Sequence, residues 1–170
     1  MSGVTAAEAQ ANLAPLAPDL PAAEERAVMP AGFRALGVPI GIKQSGRPDF
    51  AVIATTAGPA AAAGVFTRNA FAASPVRLTR AHLAETGGDG PTGSGWADAI
   101  LSTSGSANAA TGASGDADQL HLAGDLAAAL GIARNHSLAF STGVIGTRLP
   151  VDRIAEAIAA HIPDELSMRD

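Results

Sequence analysis

A chain of 170 residues, 47% hydrophobic and 16% charged, is long enough for one domain with a real core. Its formal net charge of −5, with the basic residues scattered, offers no cationic field for nucleic acid or an anionic membrane, and no run of about 18 apolar residues supplies a transmembrane helix. The absence of cysteine removes disulfides, thiol nucleophiles and thiolate metal sites, and an acidic N-terminus without a basic residue before Arg26 fits no leader peptide, so a cytoplasmic protein is expected.

Residues 1–28 are rich in Ala and Pro, and Pro15, Pro18 and Pro21 break any helix begun at Thr5. They read as a mobile extension preceding a domain over residues 29–170. Residues 32–38 and 40–43 alternate apolar with small residues and predict short strands. The continuous apolar run 50–55 predicts a strand buried on both faces. Residues 57–63 read as a loop or short helical turn, 64–67 as a strand, 75–79 as a further extended stretch, and 80–83 as helical. A loop follows at 86–95, where Gly93-Ser94-Gly95 lacks the spacing of a phosphate loop. Residues 98–103 predict a strand running into a polar, glycine-rich turn that reaches Gly115.

Leu122, Leu126 and Leu130 recur every four residues, which predicts a helix ended by Gly131, with Asp116 and Asp118 favouring its N-terminal dipole. A strand at 138–140 feeds the turn Ser141-Thr142-Gly143-Val144-Ile145-Gly146. A last helix then starts at Pro150, shows Val151, Ile154 and Ile158 on one face, and stops at Pro163. Residues 164–170 are polar and read as cut rather than finished. The alternation of strands and helices predicts a layered α/β fold in a single domain.

The histidines His82, His121, His136 and His161 are dispersed, without a serine and an acid at a familiar spacing, and read as surface or helix-face residues. No HExxH or convergent carboxylate set indicates a metal. Two polar glycine turns remain, at 103–115 and 141–146, each after a strand. If their strands are adjacent they line one cleft, where exposed N–H groups stabilise developing negative charge. The alternative is a plain connector, in which Gly105, Gly112, Gly143 and Gly146 only permit positive φ.

Four motifs in order resemble the N-terminal part of the ornithine acetyltransferase family, the ArgJ type, over residues 30–158. They are Gly32-Phe33-Arg34-Ala35-Leu36-Gly37 with Gly41-Ile42-Lys43; Ala63-Gly64-Val65-Phe66-Thr67-Arg68-Asn69 with Ala73-Ser74-Pro75-Val76; Ser104-Gly105-Ser106-Ala107-Asn108-Ala109 with Thr111-Gly112; and Ser141-Thr142-Gly143-Val144-Ile145-Gly146 with Leu149-Pro150.

The resemblance implies the layered α/β sandwich of a self-cleaving, N-terminal-nucleophile-like enzyme. Family members cut themselves before a threonine, which becomes the nucleophile on a second, β chain. An acetyl group then moves from N-acetylornithine to glutamate by ping-pong acyl transfer. No cofactor is implied, although some members take acetyl from acetyl-CoA. Thr142 and Gly143 match the family's oxyanion-hole pair. The expected partner is the β chain in an α2β2 heterotetramer, with neither nucleic acid nor membrane.

Thr103, Ser106 and Ala110 depart from the Asn and Cys usual in the family's loop, which is read here as structural. The family's Lys-Gly segment leading to Met-Ala-Thr and its upstream Thr-Thr-Asp segment are absent. The chain thus holds no nucleophile of its own, and the resemblance assigns it no substrate-binding residue. By itself it is expected to be inactive. Two other readings keep the fold: an amide or peptide hydrolase with water as acceptor, and an inactive shortened chain that only binds.

Overall fold

The structure, a computed structural model, describes residues 29–87 and 93–166. The expected extension at 1–28 and the final residues 167–170 lie outside the described residues, as do residues 88–92 of the predicted loop. Six strands and three helices make up the regular elements of the described residues: β1 (Phe33–Val38), β2 (Phe50–Thr55), β3 (Ala60–Ala63), α1 (Ser74–Gly87), β4 (Ser94–Ala97), β5 (Ala99–Ser106), α2 (Gly112–Leu130), β6 (Ser137–Val144) and α3 (Val151–His161). A 3-10 turn, Arg134–His136, leads into β6, and a π turn, Ile162–Leu166, extends α3.

Four strands form one sheet in the order β1-β2-β5-β6, while β3 and β4 pair as a separate ribbon. β1–β2 and β2–β5 are antiparallel, whereas β5–β6 is parallel. The parallel pair follows from α2, which supplies the long crossover that such strands require. One face of the sheet carries Leu36, Phe50, Val52, Ala54, Ala99 and Leu101 into a core completed by Leu122, Leu126, Ile154, Ile158 and Ile162. The fold is therefore the expected layered α/β type.

The stripe Leu122–Leu126 seats α2 as predicted, with Leu130 half-buried at its end. Gly131 closes the helix in the left-handed conformation, φ 68°, with its N–H directed to the carbonyls of Ala127 and Ala128. The acidic residues do not serve the helix dipole. The helix begins at Gly112, so its first turn holds no acid; Asp116 pairs with Arg77, and Asp118 with Arg148.

Several expectations are corrected. β2 is not buried on both faces: Ile53 is 42% exposed, on the face opposite the core that Phe50, Val52 and Ala54 share with α2 and α3. Residues 75–79 are helical, since Pro75 in the first turn of α1 gives up an N–H that has no intrahelical partner there. Residues 64–67 are not a strand; Gly64 bonds to the Gly93 carbonyl, and the Phe66 ring lies 5.3 Å from the Arg80 guanidinium. Residues 40–43 are a loop gripped by Asp49, whose carboxylate accepts the Ile40 and Lys43 N–H groups at 2.7 Å each. The alanines 60–63 form β3 because they pair with β4, Ala61 standing opposite Trp96. Pro163 does not stop α3, which ends at His161 and continues through it as the π turn.

Candidate functional site

β5 and β6 run side by side in register, with Ser104 opposite Thr142 and Gly105 opposite Gly143. The two glycine-rich segments thus lie at the same end of adjacent strands, as required for one site. Both strands are longer than predicted, so Thr142 and Gly143 belong to the last residues of β6 rather than to the turn. Alternation along the strands decides which side chains are available. Thr103 and Ser141 share one face, their hydroxyls 2.9 Å apart. Ser104 and Thr142 therefore point to the other face, which also carries Ser102 and Phe140. Thr142 is exposed, and among the described residues its hydroxyl has no hydrogen-bond partner.

Glycine is required where the strands meet. Gly143 has φ 133°, and a Cβ there would lie 2.5 Å from the Gly105 carbonyl oxygen and 2.7 Å from the Ser106 nitrogen. Gly105, φ 127°, faces Ile42, whose Cγ2 would lie 2.5 Å from an added Cβ. Gly112 and Gly146 also have positive φ, but nothing stands within 4 Å of a Cβ at either. For those two the connector explanation suffices; for Gly105 and Gly143 close approach adds a second reason.

Backbone bonds moor the end of β6 to the segment after β5. Ala107 N–H donates to the Val144 carbonyl (3.0 Å), and Gly146 N–H donates to the Ala109 carbonyl (2.8 Å). Ser106 is buried and donates its hydroxyl to the Thr147 carbonyl at 2.7 Å. Beyond the turn, Arg148 makes a two-point ion pair with the buried Asp118, at 2.8 and 2.5 Å, and this bond to the carboxylate raises the guanidinium's affinity for its proton. The outer edge of β6 is covered by α1. The Thr79 hydroxyl donates to the Ala139 carbonyl (2.9 Å) and accepts the Ala139 N–H (3.0 Å), while His82 Nδ1 meets the Ser137 carbonyl at 2.7 Å. The first part of the edge strand, at Ser137 and Ala139, is thereby satisfied without a neighbouring strand.

His82 is accordingly buried, on the inward side of its helix. His136 is paired with an acid despite the unfamiliar spacing: its Nδ1 stands 2.7 Å from Asp98, which also accepts the Thr55 hydroxyl at 3.1 Å. That pair joins the starts of β5 and β6, at the opposite end from Thr142. His121 lies 3.4 Å from Asp125 along α2. Among the described residues no three His, Cys, Asp or Glu side chains converge on a metal position. None of the described helices is long and apolar enough to cross a membrane. Sequence reasoning read the loop of Ser106 and Asn108 as structural without identifying its bonds, and missed Thr79; the positive φ favoured by Asn was a signal at Asn108 alone.

The open face carries the polar Ser102 and Ser104 with Phe140 beside Thr142, and becomes apolar toward Phe33 and Ile53. Phe33, Ile53 and Phe140 are 41%, 42% and 54% exposed. Between this face and the β3–β4 ribbon lies a cavity of about 130 Å³ reaching Phe33, Ile53, Ile100 and Leu138.

This layered α/β domain has counterparts among solved structures. Ornithine acetyltransferase from Mycobacterium tuberculosis, solved in complex with ornithine, superposes with a TM-score of 0.70 at 41% identity, covering 80% of this chain and 68% of that one. The arginine biosynthesis bifunctional protein ArgJ from Bacillus halodurans gives 0.68 at 33% identity, covering 76% and 63%. The sequence profile of the ArgJ family matches residues 34–168, and the chain belongs to that family. Among named relatives, the arginine biosynthesis bifunctional protein ArgJ of Thermosynechococcus vestitus is 44% identical over 127 residues, 75% of this chain and 28% of that protein. Its counterpart in Mycobacterium tuberculosis is 42% identical over 142 residues, 81% and 33%. The chain therefore spans about a third or less of the curated relatives it matches.

Proposed function

We propose that this chain is part of the α portion of a glutamate N-acetyltransferase of arginine biosynthesis, and that it contributes the oxyanion hole. The observation that carries the reading is the placement of Thr142. Its hydroxyl is exposed and unbonded among the described residues, beside Gly143 at the end of a braced edge strand. The names of the relatives and the shared fold supply the reaction class.

In this reading the nucleophile is the N-terminal Thr of a β chain. The exposed Phe140 near Thr142, with the exposed Phe33 and Ile53 farther along the same sheet face, supports docking of that chain on this face, in an α2β2 assembly. The Thr hydroxyl attacks the acetyl carbonyl of N-acetylornithine and passes its proton to the N-terminal amine. The Thr142 hydroxyl and Gly143 N–H hold the oxyanion while the ornithine amine leaves with a proton. The amine of glutamate then attacks the acyl-enzyme and restores the free Thr. Such donors matter because they are already in place when charge develops, and removal of one costs roughly 2.7–4 kcal/mol of barrier. No cofactor enters these steps; acetyl-CoA is an alternative donor to the same nucleophile. The departures Thr103 and Ser106 bond within the framework, so they give no support to a hydrolase.

The test combines the chain with a family polypeptide bearing the Thr nucleophile and follows acetyl transfer from N-acetylornithine to glutamate. Transfer that falls about 10²–10³-fold in Thr142→Ala, with the fold intact by circular dichroism, supports the assignment. Unchanged transfer in that variant removes Thr142 from the mechanism. Hydrolysis of simple amides without glutamate would favour the hydrolase, association without turnover the binding role, and transfer by the isolated chain would overturn its dependence on a partner.

A further inference from the structure

Asn108 is fully buried, at 0% exposure, and has φ 45°. Its side chain uses both ends. Oδ1 accepts the Thr111 hydroxyl at 2.7 Å, while Nδ2 donates to the Gly115 carbonyl at 2.9 Å and faces Gln119 Oε1 at 3.4 Å. Its backbone is engaged as well: the N–H reaches the Ser106 hydroxyl at 3.2 Å, and the carbonyl accepts the Ser74 N–H at 3.0 Å. One residue therefore ties the segment after β5 to the first turn of α2 and to the start of α1. Contact with α2 is tight, since a Cβ on Gly115 would lie 2.5 Å from Asn108 Oδ1.

The neighbours of Asn108 make the contacts that matter for the site. Ala107 donates to Val144, and Ala109 accepts from Gly146, so the two bonds that moor the end of β6 flank Asn108. Asn tolerates the left-handed backbone better than most residues. A buried amide bonded at both ends fixes the segment that presents those two groups. The position of Thr142 and Gly143 relative to the helix layer is thus set through a residue that lies on neither their strand nor their face.

We propose that Asn108 is a positioning residue for the Thr142–Gly143 donor pair: it clamps the segment 107–109 to α1 and α2, and that segment holds the end of β6 in place. The catalytic part of the proposal rests on the acetyltransferase reading; the positioning part does not. Asn108→Gly is the variant of choice, because Gly adopts positive φ without strain while the side chain with its amide is removed. Thr111→Val removes just the bond to Oδ1 and guards against a variant that fails to fold.

Amide hydrogen exchange on the 170-residue chain reads the clamp directly. Asn108→Gly raises exchange at Ala107 and Gly146 at least about tenfold, Thr111→Val raises it less, and amides of Val52 and Leu101 in the sheet centre stay within about threefold of wild type. Unchanged exchange at Ala107 and Gly146, or an equal rise throughout the sheet, overturns the proposal. In the assembled enzyme kcat falls about tenfold in Asn108→Gly while KM for the acetyl donor stays within about twofold; a raised KM with unchanged kcat overturns the positioning role in catalysis. If wild-type assembly transfers no acetyl, the acetyltransferase reading fails, and the exchange experiment still decides whether Asn108 holds the strand end.

Discussion

Gly143→Ala tests the central geometric claim, that the donor strand is held against β5 at a distance no side chain survives. Two costs add. The backbone at φ 133° lies in a region costing other residues about 1–3 kcal/mol. The added methyl meets backbone rather than a movable side chain, with the Gly105 carbonyl oxygen at 2.5 Å, so the strands must separate; overpacking of this kind costs roughly 1–3 kcal/mol more. A total of about 2–6 kcal/mol corresponds to a fall of roughly 4–24 °C in Tm for a domain of this size. Gly146→Ala is the internal control: its φ of 82° is also unfavourable, but nothing lies within 4 Å of the new Cβ, so only the backbone cost of about 1–2 kcal/mol applies. Urea and thermal unfolding of the two variants measure the difference. If Gly143→Ala proves no more destabilising than Gly146→Ala, the close approach of the strands is not a constraint and the reasoning about Gly105 and Gly143 fails.

Thr79→Val preserves the shape of the side chain but strips the Ala139 N–H and carbonyl of their partner; with two buried backbone groups left unpaired, stability should fall by about 2–4 kcal/mol in urea unfolding, and a loss below about 1 kcal/mol would show that water or a shifted helix replaces the hydroxyl. Asp49 is buried, which opposes ionisation, yet the N–H groups of Ile40, Lys43 and Ile42 and the Lys43 ammonium hold its pKa below the usual 3.8. A carboxylate with a lowered folded pKa contributes stability above its unfolded pKa and loses it as pH falls through the folded value. Asp49→Asn should therefore cost roughly 1.5–3 kcal/mol at pH 7, and its deficit against wild type should shrink as pH falls below about 3.8; a deficit independent of pH would exclude the charge as its source.

The elements that could be read from the chain are those whose pattern is local. Leu122 and Leu126 mark a helix face by spacing alone, Gly131 marks its end, and the apolar runs near 50–55, 98–103 and 138–140 mark strands. The errors fall where pairing or position overrides composition. Val76 and Thr79 favour extended structure, yet Pro75 places them in a helix. Four alanines have weak strand preference, and they become β3 because β4 is beside them. At the site, the likeness of residues 141–146 to a known motif singled out Thr142 and Gly143, and the register of β5 with β6 then explains why both segments contain glycine. The loop of Ser106 and Asn108 was legible as structural, but their partners Thr147, Gly115 and Ser74 stayed hidden because no spacing rule connects them.

The two ends of the β5–β6 pair are secured by different means, and the difference bears on function. At the start, side chains lock the strands: Asp98 holds His136 and Thr55, and its backbone N–H reaches the His136 carbonyl at 2.9 Å. At the far end two backbone bonds, through Ala107 and Ala109, are joined by the Ser106 hydroxyl and by the Thr103–Ser141 hydroxyl pair. These bonds leave the Thr142 hydroxyl uncommitted. Thr79 and His82 cover the outer edge of β6 only at Ser137 and Ala139, so they do not occupy the edge at Gly143. A donor pair must be rigid before charge appears if it is to lower a barrier. On the proposed oxyanion-hole reading, these bonds order the pair from within this chain, and a partner approaching the open face supplies the reacting group.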